Sequence, residues 1–299
     1  MPGTQELTRR IKSIKSTRKI TRAMQMVSAA KMRKAQERAS QSRSYTSLAM
    51  QLIRELPGVP ARNPLLRTYP QATKIGVIVI STNKGLVGSF NANIMAALQQ
   101  LERQYPNTPV EVIGKGRKIC EACARMQKNL IASFTKHEAL VGISDIYDLS
   151  KLICKRYTAG EYQKVYIIYN HFYSTLVQKV TTITLLPFNE SDSGKAARGG
   201  GSIRALPVGG GDASPIIEPS PEQVFDHLLP RVIESQIYQA LLESDASEHS
   251  SRMVMMKNAT EAAGDIISDL TLTYNQLRQN KITTELSEIT AGKIALENK

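Results

Sequence analysis

What most constrains this chain is the absence of helix breakers from both of its ends. No Pro or Gly occurs from residue 4 to 56, and from 231 to 299 there is no Pro and the only glycines are Gly264 and Gly292. Inside a helix, Pro costs about 3 kcal/mol and Gly about 1 kcal/mol relative to Ala, so each end is expected to form one long helix. At about 1.5 Å per residue the C-terminal stretch would make a rod on the order of 100 Å long. No compact domain of this length can enclose such a rod around one core. The ends are therefore expected to pack on each other, to project into a partner, or both.

Apolar spacing supports the pairing. In the first stretch Leu7, Ile11, Ile14, Ile20, Met24 and Val27 recur at helical steps, the pattern of an amphipathic seam. The seam thins to Ala30, Ala35, Ala39 and Ser42, where small residues let two helix axes approach, and recovers at Leu48, Leu52 and Leu56. Pro57 and Gly58 are expected to end the helix, and a Pro-rich connector follows. In the C-terminal stretch Ile233, Ile237, Leu241, Ser244, Ser251, Met255, Asn258, Ala262, Ile266, Leu270, Thr273 and Leu277 keep steps of three, four or seven, as in a coiled coil. Ser, Asn and Thr at such positions forfeit about 1.5–3 kcal/mol each relative to a buried Leu. The pair would be marginal alone and calls for a surrounding partner. Ser220, Pro221 and Gln223 read as the cap, first position and third position of this helix. Pro230 is expected to kink or restart it.

The middle alternates strand and helix signals. Strands are expected at 74–81 (KIGVIVIS), 110–113, 130–134, 164–169 (KVYIIY) and 177–186, with helices at 89–105, 117–127 and 145–157. This alternation predicts a doubly wound, mostly parallel sheet. The fold class is thus α/β: a long antiparallel coiled coil of N- and C-terminal helices plus a central Rossmann-like α/β domain. The boundaries are 1–57 for the first helix, 58–73 for a linker and 74–188 for the α/β domain. A Gly-rich flexible loop and return segment spans 189–219, and the second helix 220–299.

Catalytic signatures are missing: no P-loop, no G-x-S-x-G elbow, no H-E-x-x-H. His137, His171, His227 and His249 lack metal-ligand spacing, and Cys120-x-x-Cys123 has no second pair downstream, so the two thiols read as small residues packed on the sheet. Gly85 and Gly88 in STNKGLVGSFN follow the first strand. A phosphate nest could form there, but a tight strand-to-helix turn is the expected use. No run is apolar and long enough to span a membrane. The basic N-terminus resembles a transit peptide in composition, but its pattern continues past Arg38 into helical spacing.

Charge is the strongest physical hint. From residue 1 to 54 there are 13 Lys/Arg against only Glu6 and Glu37, in a chain of net charge +13. With almost no acidic residues to form i,i+4 pairs, this helix calls for an acidic surface: a protein, a lipid layer or nucleic acid. Tyr45 is its only aromatic, so the stacking platforms of single-strand nucleic-acid binders are lacking.

The motifs IKSIKSTRKITRAMQMVSAAKMRKAQERA, STNKGLVGSFN, ESQIYQALLESDASEHSSRMVMMKNAT and KITTELSEITAG together closely resemble the γ subunit of F-type ATP synthases, bacterial type, in order and over essentially the whole chain. The resemblance implies a central-stalk rotor that couples proton-driven rotation of a c-ring to ATP synthesis. Its paired helices would stand inside a ring of three α and three β subunits, with its body against the ε subunit and the c-ring. It implies no catalytic residues, cofactor or nucleic acid, and membrane association only through the complex. The start of the chain matches the family's usual start, which implies no presequence and a place on the cytoplasmic face of a bacterial plasma membrane rather than a thylakoid or mitochondrial one. By motif position, Met24, Arg252, Gln279, Thr283 and Glu285 resemble rotor–stator contact residues, and Lys19, Arg22, Lys31, Arg33 and Lys34 would face an acidic loop of β. Lys293 departs from the Ala more usual in the family, and the Gly-rich loop has no cysteines, so the dithiol switch of chloroplast members is not implied. The alternative is a basic coiled-coil nucleic-acid-binding or scaffold protein.

Overall fold

The computed structural model describes residues 4–55, 63–136, 142–188, 218 and 220–297. The expected helix stop at Pro57 and Gly58, the start of the linker, His137 and the Gly-rich segment lie outside the described residues. The chain divides into two compact units, Ala29–Arg252 and, from both ends together, Met1–Ser28 with Met253–Lys299. Helix α1 (Thr4–Glu55) and the last helix, α5 (Pro221–Glu297), contribute to both.

The larger unit is built on β1 (Lys74–Ile80), whose β-branched run is buried on both faces, as a central parallel strand must be. Strand order is β3-β2-β1-β4-β5, with β2 (Val110–Lys115), β3 (Leu130–Phe134) and β4 (Tyr162–Phe172) parallel and β5 (Gln178–Leu186) antiparallel to β4. The mostly parallel sheet expected from strand–helix alternation is present. Alternate side chains of β1 serve opposite layers. Ile75, Val77 and Val79 meet α2 (Phe90–Gln104) and α3 (Arg117–Arg125) through Ile94, Leu98, Ile119 and Cys123. Ile78 and Ile80 join the layer of α4 (Tyr147–Thr158) and the long helices, through Leu149, Ile153, Ile53, Ile233, Ile237 and Leu241.

Several elements differ from expectation. Strand β4 extends beyond its apolar run because Asn170 and His171 are buried with partners: the carbonyl of Asn170 accepts from Ser247 Oγ at 2.9 Å, and His171 pairs with Glu243. Before α4 stands a 3₁₀ turn, Ile143–Ile146, in which Asp145 Oδ2 accepts from the Gly142 amide at 2.8 Å. Helix α5 begins as predicted, with Ser220 Oγ accepting from the Gln223 amide at 3.3 Å, but it runs through Pro230 without restarting. Leu229, Val232 and Ile233 around that proline are fully buried, so packing outweighs the lost backbone bond.

In the smaller unit the two helices are antiparallel. Thr21 Oγ1 and Thr260 Oγ1 are 2.7 Å apart, and a Cβ on Gly264 would lie 3.5 Å from Arg18 Cζ. The seam corrects the sequence reading in register. Leu7, Ile11 and Ile14 are covered as expected, but Ile20 and Val27 are more than half exposed, and Thr21 and Ser28 lie inward. In α5 the covered line is Met256, Thr260, Ala263, Ile267, Leu270, Tyr274 and Leu277, one residue on from most expected positions, with Ile266 exposed. In the larger unit Ala35 and Ala39 of α1 are buried as expected, and the same shift appears only toward its end, where Ala49 and Ile53 are buried while Leu48 and Leu52 are exposed. The geometric seven-residue repeat, continued from Leu7, selects small and hydroxyl side chains over larger apolar ones one step away.

Gly116, between β2 and α3, has φ +107°, and a Cβ there would sit 2.6 Å from the carbonyl oxygen of Ser81. Gly116→Ala is expected to destabilise the larger unit by at least about 1–3 kcal/mol, read as a lowered urea midpoint with an unchanged slope.

Candidate functional site

The loop after β1 decides whether this sheet can hold a phosphate group. Its polar atoms are already committed. Thr82 Oγ1 donates to the Lys84 carbonyl at 2.7 Å, and Asn91 Nδ2 donates to Thr82 Oγ1 at 2.9 Å. The first amides of α3 are capped from the same loop: Arg117 N donates to Asn83 Oδ1, Lys118 N to the Thr82 carbonyl and Ile119 N to Ser81 Oγ. A helix N-terminus whose amides are so occupied has none to offer an anion. Leu86 and Gly88 have φ of 62° and 59°, which makes this the tight turn expected of the motif. Nor are the thiols poised for chemistry. Burial pushes Cys123 and Cys154 up to about 11, and Cys120 Sγ lies 3.1 Å from Ser133 Oγ. Among the described residues no cluster of His, Cys, Asp and Glu could hold a metal ion.

The concentrated polar chemistry lies on α5 within the larger unit. Lys136, just after β3, is buried with Nζ 2.6 Å from Asp245 Oδ1 and 2.6 Å from Glu248 Oε2. Arg252 Nη2 donates to Glu248 Oε1 at 2.9 Å and to the carbonyls of Lys84 and Gly85 at 3.4 Å each. Burial works against the charge on Lys136, yet the two carboxylates hold its pKa above the ordinary value. Burial would likewise raise Glu248, but Lys136 and Arg252 pull it down to about 2. For Asp245 burial prevails over Lys136, and its pKa is raised. A second group centres on Glu243, which accepts from Arg43 Nη2 of α1 at 2.9 Å and Gln239 Nε2 at 2.8 Å and pairs with His171 of β4. A buried carboxylate persists only with such partners.

Of the contact and basic-helix residues expected from sequence, Arg252 alone belongs to these clusters, and it is buried; His171, read there only as lacking metal-ligand spacing, is buried against Glu243. Met24 is half-buried in the smaller unit. Gln279, Thr283 and Glu285 are exposed, with Thr283 Oγ1 donating to the Gln279 carbonyl and Glu285 3.5 Å from Lys281. Lys19, Arg22, Lys31, Arg33 and Lys34 are all exposed, and none forms an ion pair among the described residues. Lys136, Asp245, Glu248 and Glu243 were not anticipated. Carboxylates at 245 and 248 with a cation at 252, at helical spacing in the polar run 243–252, were the available signal; Lys136 gave none.

The smaller unit also ends unevenly. The pairing of Thr21 with Thr260 places Leu7 opposite Tyr274, so the described part of α1 is used up near Leu277. Residues 278–293 of α5 are exposed throughout, including Ile282, Leu286 and Ile289 in one apolar line. Isolated helix of this length is marginal in water.

A family sequence model described as ATP synthase matches residues 3–296. The chain is 39% identical to the ATP synthase gamma chain of Roseiflexus sp. (strain RS-1), over 99% of each chain. It is 35% identical to that of Stenotrophomonas maltophilia (strain R551-3), over 99% of this chain and 100% of the other. In fold it is similar to a chain in the Euglena gracilis mitochondrial ATP synthase OSCP/F1/c-ring structure (TM-score 0.67, 19% identity, covering 98% and 94%). A chain of the Tetrahymena thermophila mitochondrial ATP synthase central stalk and c-ring is also similar (TM-score 0.57, 24% identity, covering 80% and 99%).

His249, beside Arg252, is held neutral: burial lowers its pKa to about 4. The unfolded chain takes up this proton near the ordinary His value, so stability is full above about pH 6.5 and falls as pH drops toward 4. The loss is on the order of 3 kcal/mol. Urea midpoints measured across that window should show the slope, and His249→Gln should flatten it.

Proposed function

The chain belongs to the family of ATP synthase gamma chains, and from that premise we propose that it is the central-stalk rotor of a rotary F-type ATP synthase, turned by a proton-driven c-ring. One observation carries the reading beyond family membership. The C-terminal part of α5 is exposed on every side, yet it bears Ile282, Leu286 and Ile289 along one line. A lone helix with such a stripe is stabilised by a surrounding surface, and a ring of α and β subunits is that surface.

The chain supplies no catalytic group of its own. It works as an asymmetric object inside three equivalent sites. A partner shifts a site between open and closed states only through contacts that differ between those states, and the size of the shift is set by the difference in contact free energy. Met24, Gln279, Thr283 and Glu285 are the contacts proposed with the ring. The exposed cations Lys19, Arg22, Lys31, Arg33 and Lys34 would face an acidic loop of β. Arg252, engaged with its own loop after β1, has an internal role. The body would bear on the ε subunit and the c-ring. No described helix is long and apolar enough to cross a membrane, so attachment to the cytoplasmic face of a bacterial plasma membrane would come through the complex.

The test is co-purification. Tagged chain expressed in its source should bring down α and β subunits in salt-resistant, nuclease-resistant complexes. Recovery with nucleic acid alone would instead favour a basic scaffold.

Glu285→Ala should leave hydrolysis at a single loaded site nearly unchanged and slow steady-state turnover. A charge-assisted contact worth about 1–3 kcal/mol predicts roughly tenfold to a hundredfold slowing. Equal steady-state rates for Glu285→Ala and the unmodified complex would show a solvated spacer.

A further inference from the structure

We propose that Glu243 on one side of α5, and Asp245 and Glu248 with Lys136 on the other, are positioning residues that fix the angular setting of this helix in the larger unit, so that it turns with that unit under load. The proposal rests on the rotor reading above and concerns how torque enters the helix.

The geometry is a two-sided clamp. At about 100° per residue, Glu248 and Asp245 project roughly 140° and 200° around the helix from Glu243. On Glu243's side stand Arg43 of α1 and His171 of β4. On the opposite side Lys136 Nζ reaches both carboxylates at 2.6 Å and the Ser81 carbonyl at 3.4 Å. Asn83 Nδ2 donates to the Lys136 carbonyl, which joins the loops after β1 and β3. Arg252, one turn beyond Glu248, ties α5 to the loop after β1. The helix is therefore gripped from two directions by separate parts of the sheet.

Apolar packing does not define this angle as sharply. Ile233, Ile237, Ala240 and Leu241 bury surface, but apolar contact is non-directional and tolerates repacking. Buried ion pairs generally add little stability over apolar residues of the same volume; their best-attested use is to select one register. A turn of α5 by one residue would leave Lys136, Asp245 and Glu243 charged, buried and unpaired together. That makes intermediate settings inaccessible.

The experiment uses the assembled ATP synthase in sealed vesicles and reads protons pumped per ATP hydrolysed as the opposing gradient is raised. An unmodified chain that neither assembles nor pumps overturns the rotor reading, and the clamp with it. The combined variant Lys136→Met, Asp245→Asn, Glu248→Gln removes the three charges that meet at Lys136 while keeping side-chain shape, and leaves Arg252 bonded to the loop after β1. Its hydrolysis without a gradient should stay close to the unmodified rate, while the pumping ratio near the limiting gradient falls by about threefold or more. Lys136→Arg, which retains charge and donors, should preserve the ratio. A merely structural role would lower the yield of complex without making the ratio depend on load. If the combined variant does not assemble, Glu243→Gln decides, since a two-sided clamp predicts a smaller loss of the same load-dependent kind. A pumping ratio equal to the unmodified complex at every gradient, in whichever variant assembles, overturns the proposal.

Discussion

Lys136 holds two carboxylates of α5 in a dry interior, and much of the larger unit is arranged around that fact. Charges so placed are tolerated only when every partner is present. The loop after β3 must deliver Lys136, the loop after β1 must deliver the carbonyls that receive Arg252, and β4 must extend far enough to present His171 to Glu243. The length of β4, the turn at Gly116 and the course of the β1 loop are therefore parts of one requirement. Apolar layers on both faces of the sheet supply the favourable burial; the ion pairs restrict it to one arrangement.

The smaller unit follows the opposite principle. Thr21, Ser28, Thr260 and Ala263 line the contact between its helices, and they offer close approach with little burial. Such a pair is marginal on its own contacts. Ile20 and Val27 are turned outward and more than half exposed, so the larger apolar side chains of this stretch contribute little to the pair itself.

Much of the fold was legible in the sequence because periodicity reports it directly. The β-branched run of β1, the absence of breakers in α1 and α5, and the cap at Ser220 all correspond to described elements. Seam register was not legible, since the eye follows Ile20, Val27 and Ile266 whereas the seven-residue repeat runs through Thr21, Ser28 and Ile267. Pro230 does not restart the helix, because helix propensity takes no account of the tertiary packing around it. The clamp was half visible: Asp245, Glu248 and Arg252 recur at helical spacing, but Lys136 lies 109 positions before Asp245 (245 − 136), and only the sheet brings them together.

The capped N-terminus of α3 has one further consequence. Parallel sheets of this kind commonly hold nucleotides at the carboxyl ends of their strands, and a gamma chain's relatives belong to machines that handle ATP. Here Ser81, Thr82 and Asn83 occupy the first amides of α3. As tethered groups they act as an internal competitor for those amides, at an effective concentration of about millimolar or above. An anion therefore takes the N-terminus of α3 only by displacing groups that belong to the chain itself.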